Sequence, residues 1–217
     1  MTRIAPAPPR LSLYSSEGER KYLCASERER FYRVLCDMAS PVDRTFCETV
    51  YWTGCRPSEA LALTAMNIDL ADRVVVIRSL KKRGALKGRH YRPVPVPEAY
   101  LDLMDAVHDL RRVQRRADGG ADVRLWPFSR TTAWKRMKDV METAGLTGEK
   151  ASAKGLRHAY GVHAALSRVP ESRIKAWLGH ASLSTTEIYL EMAQSEDREV
   201  AERMWGAGTA PRVPETA

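Results

Sequence analysis

The sequence predicts an α+β fold, predominantly helical, with a small antiparallel β-sheet at one edge. Two observations carry that expectation. Apolar residues recur at helical spacing in segment after segment, most of them opened by Ser or Pro and several closed by Gly. Strand signals are confined to residues 74–77 and 91–96. At 217 residues the chain is one substantial domain with a short appendage, long enough to bury a core, and no internal repeat interrupts it.

Residues 1–25 carry Pro6, Pro8 and Pro9 without clear periodicity and read as an N-terminal arm, flexible or docked. The domain is expected over residues 26–205, followed by a disordered tail over 206–217. Ser26 with Glu29 forms a capping box for the first helix, along which Phe31, Val34, Leu35 and Met38 recur. Ser40-Pro41 opens a second helix, and Gly54 suits its stop. Arg56-Pro57 starts a third, short helix through Ala65. Residues 67–73 are turn-like, and 74–77 form the clearest strand nucleus.

The second strand, 91–96, is punctuated by Pro93 and Pro95, with Pro97 just beyond. Alternate residues aim their N–H groups at the same side, so the missing donors fall on one edge and Arg92, Val94 and Val96 pair on the other. That makes it the rim of the sheet, with residues 81–89 as an exposed loop between strands. Helices are expected over 98–116, 129–144, 152–167 and 170–178, the last with Gly179 past its end. Ser184 and Glu187 cap a helix carrying Tyr189, and 196–205 reads as one more.

Charge narrows the function. There are 35 Lys+Arg against 27 Asp+Glu, a formal net charge of +8, which favours a polyanionic partner. A basic solvated surface would account for net charge alone, but the charge is clustered. Residues 73–92 hold eight Lys/Arg and no acid, and Arg111, Arg112, Arg115 and Arg116 form a second group. Cys24, Cys36, Cys47 and Cys55 have no metal-binding or redox spacing, so no metal or other cofactor is implied and free thiols in a reducing cytoplasm are expected. No segment resembles a signal peptide or reaches membrane-spanning length, so no membrane role is expected.

The chemistry-bearing residues are Thr53-Gly-Cys-Arg56-Pro-Ser-Glu59, Lys154-Gly-Leu-Arg157, Leu178-Gly-His180 and Tyr189. Each has a bland reading. Lys154 and Arg157 share a helical face that solvent could cover, His180 could complement a helix dipole, Tyr189 could be core, Arg56 could pair with Glu59, and Lys81 and Lys82 could be a solvated loop. Their joint order and spacing are what those readings leave unexplained.

That set resembles the tyrosine recombinase (phage integrase) family, over residues 44–193, and the resemblance implies the tyrosine-recombinase catalytic fold. It makes Arg56 the first catalytic arginine, Lys81 (or Lys82 beside it) the hairpin lysine, and Arg157 the second arginine. His180 then falls in the Leu-Gly-His motif, and Tyr189, nine residues on, is the nucleophile. Lys154 stands where the family usually has histidine, a substitution that removes a neutral imidazole base. His158 lies off the family position and reads as structural. A second departure is size: some forty residues precede the first catalytic helices, where most members carry a DNA-clamping domain. This is similar to the compact fimbrial-switch inversion recombinases.

The resemblance implies a site-specific recombinase that cuts and rejoins double-stranded DNA through a 3′-phosphotyrosyl intermediate. A homo-oligomeric, tetrameric synapse, an accessory DNA-binding protein and a bacterial, nucleoid-associated location follow from it. Lys82, Arg83, Lys87, Arg89, Arg130 and Lys135 are the expected DNA-contacting residues. A type IB topoisomerase-like activity, or a DNA-binding regulator without catalysis, are the alternatives. The residue types suit the task. A phenol of pKa about 10 needs help to attack, and guanidinium forks bind phosphoryl oxygens while staying charged.

Overall fold

The computed structural model describes residues 13–79, 90–116, 120–179 and 188–189. Its architecture is a helical body with a three-stranded antiparallel sheet in the order β1-β2-β3. The elements are α1 (Ala25–Cys36), α2 (Pro41–Thr53), α3 (Pro57–Ala60), β1 (Ile68–Asp69), β2 (Val74–Arg78), β3 (Tyr91–Pro95), α4 (Glu98–His108), α5 (Leu110–Gln114), α6 (Arg130–Thr143), α7 (Ala153–Leu166) and α8 (Glu171–Leu178), with 3-10 turns at Ala65–Asn67 and Gly120–Asp122.

Helix α2 is the hub, touching α1, α3, α4, α6 and α7. It is buried on nearly every side, so its polar residues must be satisfied internally. Thr45, Thr49 and Thr53 do this by donating their hydroxyls to carbonyls one turn back. Its own Phe46 packs edge-on against Trp126 and its Thr49 meets the Tyr100 hydroxyl, and these rings and Met104 are fully buried or nearly so. The helix stops at Gly54, whose φ of +60° favours glycine. A Cβ at Gly54 would also lie 2.7 Å from the Tyr160 ring and 3.0 Å from Leu178. That absent side chain lets α7 and α8 close onto the end of α2, which brings Arg56 to them.

The rim assignment of β3 is borne out. Val75 faces Val94 and Ile77 faces Arg92 in an antiparallel register, and Val96 donates its N–H to the Arg73 carbonyl. Arg92 and Val94 point inward while Tyr91, Pro93 and Pro95 are exposed.

Several boundaries differ from expectation, each because a distant contact wins over local propensity. Helix α1 starts earlier than Ser26: Glu27, not Glu29, accepts the N–H of the N-cap, Cys24, at 2.9 Å. Glu27 is held there by Lys150 at 2.6 Å, while Glu29 faces solvent and pairs with Arg33. Helix α3 ends at Ala60 rather than Ala65, because the Leu63 carbonyl accepts Leu125 N–H and Thr64 bridges Arg124. Residues 68–69, expected as turn, add a short strand to the sheet. The expected 98–116 helix breaks at Asp109 (φ +52°), a residue type that tolerates the left-handed region. The break turns α5 so that Leu110 is buried and Gln114 donates to the Ala65 and Ile68 carbonyls.

Of the arm expected over residues 1–25, residues 13–24 are docked: Leu13, Tyr22 and Leu23 lie in the core, and Tyr14 bridges Arg20. Residues 1–12 of that arm, the loop at 81–89, the caps at Ser184 and Glu187, the 196–205 helix and the 206–217 tail lie outside the described residues. No helix among the described residues is long and apolar enough to cross a membrane.

Candidate active site

Three distant stretches of chain meet around one guanidinium. Arg157, on α7, is buried; its Nη1 donates to the Gly54 carbonyl (2.7 Å) and its Nη2 to the Leu178 carbonyl (2.5 Å). Both acceptors are at helix C-termini, where unpaired carbonyls carry partial negative charge. One side chain thus ties the ends of α2 and α8 to the start of α7.

Arg56 opens α3 two residues past Gly54. Its Nη1 donates to Glu59 Oε1 at 3.1 Å, and its backbone N–H donates to Glu59 Oε2 at 3.0 Å. The Arg56 side chain remains 35% exposed, so it is anchored yet reachable. Glu59 is buried and also accepts Arg92 Nη2 at 2.6 Å. Arg92 continues the network from β3, with Nε on the Trp177 carbonyl (2.8 Å) and Nη1 on Ser79 Oγ (2.9 Å). Burial alone would raise the Glu59 carboxyl; the Arg92 hydrogen bonds and charge, with Arg56, more than offset that and hold it below the usual range.

Three guanidiniums, Arg56, Arg92 and Arg157, therefore surround one carboxylate, a local charge of three less one, or +2. Burial, then the charge of Arg56, brings the Arg157 pKa down to about 10, with Arg92 adding a smaller push and Glu59 opposing. An anion seated among them would relieve that repulsion. Glu59→Ala should destabilise the domain by about 3 kcal/mol, because it leaves Arg92 buried without its carboxylate. Urea unfolding checks this, and an unchanged midpoint would show that the network contributes nothing to stability.

Tyr189 is completely buried, its ring laid on α7 at Gly161, where a Cβ would sit 2.7 Å from Cε2 and Cζ. Its Oη is 2.9 Å from His158 Nδ1. Burial raises the phenol, the charges of Arg157 and Arg56 offset part of that rise, and the net result is a pKa of about 12. His158 is pushed down to about 4, first by burial and then by Lys154, Arg157 and Lys21.

His108, whose Nε2 is 3.0 Å from Thr45 Oγ1, is also lowered to about 4 by burial. Both imidazoles are neutral in the fold but take protons below about pH 6.5 once unfolded. The unfolded chain thus binds more protons between those values, so stability is full above about pH 6.5 and drains as pH falls toward 4. Thermal melts across that interval should show a falling midpoint, and a flat profile would contradict the two burials.

Of the residues expected from sequence, Arg56, Arg157 and Tyr189 come together. Lys154 does not join them: it is exposed and 3.9 Å from Glu149 Oε1. Lys81, Lys82, Arg83, Lys87, Arg89 and His180 lie outside the described residues. Arg130 is exposed and lines a cleft of about 210 Å³ with Pro57, Ser58, Trp134 and Lys138. Lys135, also exposed, does not line it. Arg111 and Arg112, expected as free basic charge, are matched by Asp105 and Asp109.

Sequence reasoning missed four residues. Arg92 had a signal, since alternation in the strand puts it on the side of Val94. Gly161 had another, as a glycine inside a helix costs stability unless something approaches closely. Glu59 was noted only as a partner for Arg56. His158 was read as structural, and only the fold shows that it touches Tyr189.

The family model described as "Phage integrase family" matches residues 21–196. The tyrosine recombinase XerD of Haemophilus ducreyi is 31% identical over 196 residues, covering 85% of this chain and 63% of the relative. XerD of Mycobacterium tuberculosis is 34% identical over 177 residues, covering 79% and 53%. Among solved structures, XerH site-specific recombinase in a post-cleavage complex with palindromic difH substrate matches with a TM-score of 0.68 at 23% identity, covering 91% of this chain and 57% of that one. The catalytic domain of bacteriophage HP1 integrase matches with 0.58 at 16% identity, covering 89% and 98%. The chain belongs to the phage integrase family, and its fold is that of the tyrosine recombinase catalytic domains. It spans less than two thirds of the length of the XerD relatives named here.

Proposed function

We propose that this chain is a site-specific DNA recombinase that breaks and rejoins double-stranded DNA through a covalent 3′-phosphotyrosyl link at Tyr189. The observation that carries the reading is the convergence of Arg56 and Arg157 on Tyr189, within a cluster whose net positive charge calls for an anion. In-line attack by Oη builds charge on the non-bridging oxygens of the scissile phosphate, and the two guanidiniums stabilise it. His180 donates to the same oxygens, and Lys81 or Lys82 protonates the departing 5′-oxygen. The phosphotyrosyl link keeps the energy of the phosphodiester, so rejoining needs no ATP.

The DNA backbone runs over Arg130 and the cleft beside Arg56, and over the basic residues Lys82, Arg83, Lys87, Arg89 and Lys135. Lys154 adds positive charge at the mouth of the site. The productive assembly is a tetramer of this chain on two DNA sites, built through the 196–205 segment, with an accessory DNA-binding protein and a nucleoid location in the bacterial cell. The relatives named tyrosine recombinase support this reading over a topoisomerase-like one.

The experiment is incubation with a pool of nicked suicide duplexes carrying a randomised centre. Detergent-resistant protein–DNA complexes should form, and the DNA recovered from them should converge on a common core. A pool that yields no such complex would overturn the proposal.

A further inference from the structure

Helix α7 presents Lys154, Arg157, His158 and Gly161 at steps of three and four, so the four share one side of the helix. Tyr189 is seated there by two contacts. Its ring lies on the bare backbone at Gly161, and its Oη reaches one turn back to His158 Nδ1 at 2.9 Å, with the two rings tilted at 51°. Lys154, at the position where the family usually has a histidine, instead projects into solvent toward Glu149. The imidazole that meets the phenol is thus one turn farther along the helix than the family motif places it.

We propose that His158 is the group that orients Tyr189 Oη and accepts its proton during strand cleavage. This rests on the reading of Tyr189 as the nucleophile.

The electrostatics set the direction of the hydrogen bond. Arg157 and Arg56 are the cations facing the phenol. Their field favours negative charge on Oη and turns the O–H proton away from them, toward Nδ1. The cations facing His158 are Lys154, Arg157 and Lys21, and with burial they keep the ring neutral. A neutral ring has one lone pair to offer. With its proton on Nε2, which has no partner among the described residues, Nδ1 is the acceptor.

The step balances. As the Oη–P bond forms and the P–O5′ bond breaks, the phenolic proton passes to Nδ1 and gives an imidazolium. The departing 5′-oxygen takes a separate proton from the loop lysine. In rejoining, the 5′-hydroxyl gives its proton back to the loop lysine and attacks phosphorus, the Oη–P bond breaks, and His158 returns its proton to Tyr189. The anionic phosphate offsets the positive charge of Arg157 and Arg56, so the imidazolium is easier to form with DNA bound than without it.

His158→Asn tests this while keeping a polar atom at the position of Nδ1. Its side-chain oxygen stands where Nδ1 was and can hold the hydroxyl, but it cannot take a proton. Cleavage of the suicide-duplex pool by His158→Asn should be slower by about 100-fold or more, with duplex affinity retained. Its pH profile should change shape as well. The wild-type rate should be level at neutral pH and fall in acid as the imidazole protonates, whereas the variant should climb with pH toward the ionisation of Tyr189. A variant that cleaves at the wild-type rate with a level profile overturns the proposal. A measurement free of activity separates this from the nucleophile reading: imidazole nitrogen resonances in wild type and Tyr189→Phe. The His158 Nδ1 signal should move when the hydroxyl is removed, and an unmoved signal would show that the pair does not exist in solution.

Discussion

Tyr189→Phe is expected to eliminate the covalent protein–DNA complex while leaving duplex binding and the fold essentially intact. The ring packs on Gly161 through its edge carbons, and phenylalanine keeps those contacts. What is lost is one oxygen and its hydrogen bond to His158, a cost of about 1 kcal/mol in stability. The chemical loss is complete because no other group takes the place of Oη as attacking atom. Denaturing gels of the reaction with nicked duplexes, run beside gel shifts on intact duplex, check both halves. A Phe variant that still forms a detergent-stable complex would assign the attack to another residue.

Arg157→Ala should slow cleavage by at least about 100-fold, since removing one charged donor from a preorganised site costs roughly 3–4 kcal/mol in the barrier. It should also weaken the fold, because the Gly54 and Leu178 carbonyls lose their donor in a buried setting. Arg157→Lys separates the two effects. An ammonium keeps the charge but has no fork to span two carbonyls and a phosphate together. We expect a folded protein with cleavage still strongly reduced, read by single-turnover rates beside urea unfolding. Near wild-type cleavage by the lysine variant would mean that charge alone, without bidentate geometry, suffices at this position.

Legibility of the molecule from its sequence followed the range of the interactions. Features set within a turn or two of chain were readable. Ser40, Ser129 and Ser152 cap their helices as expected, Gly54 and Gly179 end theirs in the left-handed region, and the prolines of β3 put it at the rim. Features decided by distant partners were not. Glu27 wins the first cap because Lys150, far along the chain, holds it, and α4 stops at Asp109 because α5 must deliver Gln114 to the Ala65 and Ile68 carbonyls.

The candidate site divides the same way. Arg56, Arg157 and Tyr189 were found through motif spacing, which encodes chemistry directly. The pairing of Glu59 with Arg92, and of His158 with Tyr189, spans 33 and 31 residues and depends on how α3, β3 and α7 come together. No local pattern specifies that. His158 shows the limit well: beside Arg157 in sequence it looks incidental, and only the helical turn that separates it from Gly161 explains why the phenol ends at its ring.

The most direct test of the account is the identity of the linked amino acid. Covalent complexes from the nicked-duplex reaction can be digested with protease and nuclease, and the peptide bearing a residual nucleotide sequenced by mass spectrometry. The account predicts a nucleotide joined through a 3′-phosphate to the oxygen of Tyr189 and to no other residue. A nucleotide found on a different side chain, or complexes that yield no modified peptide at all, would contradict it.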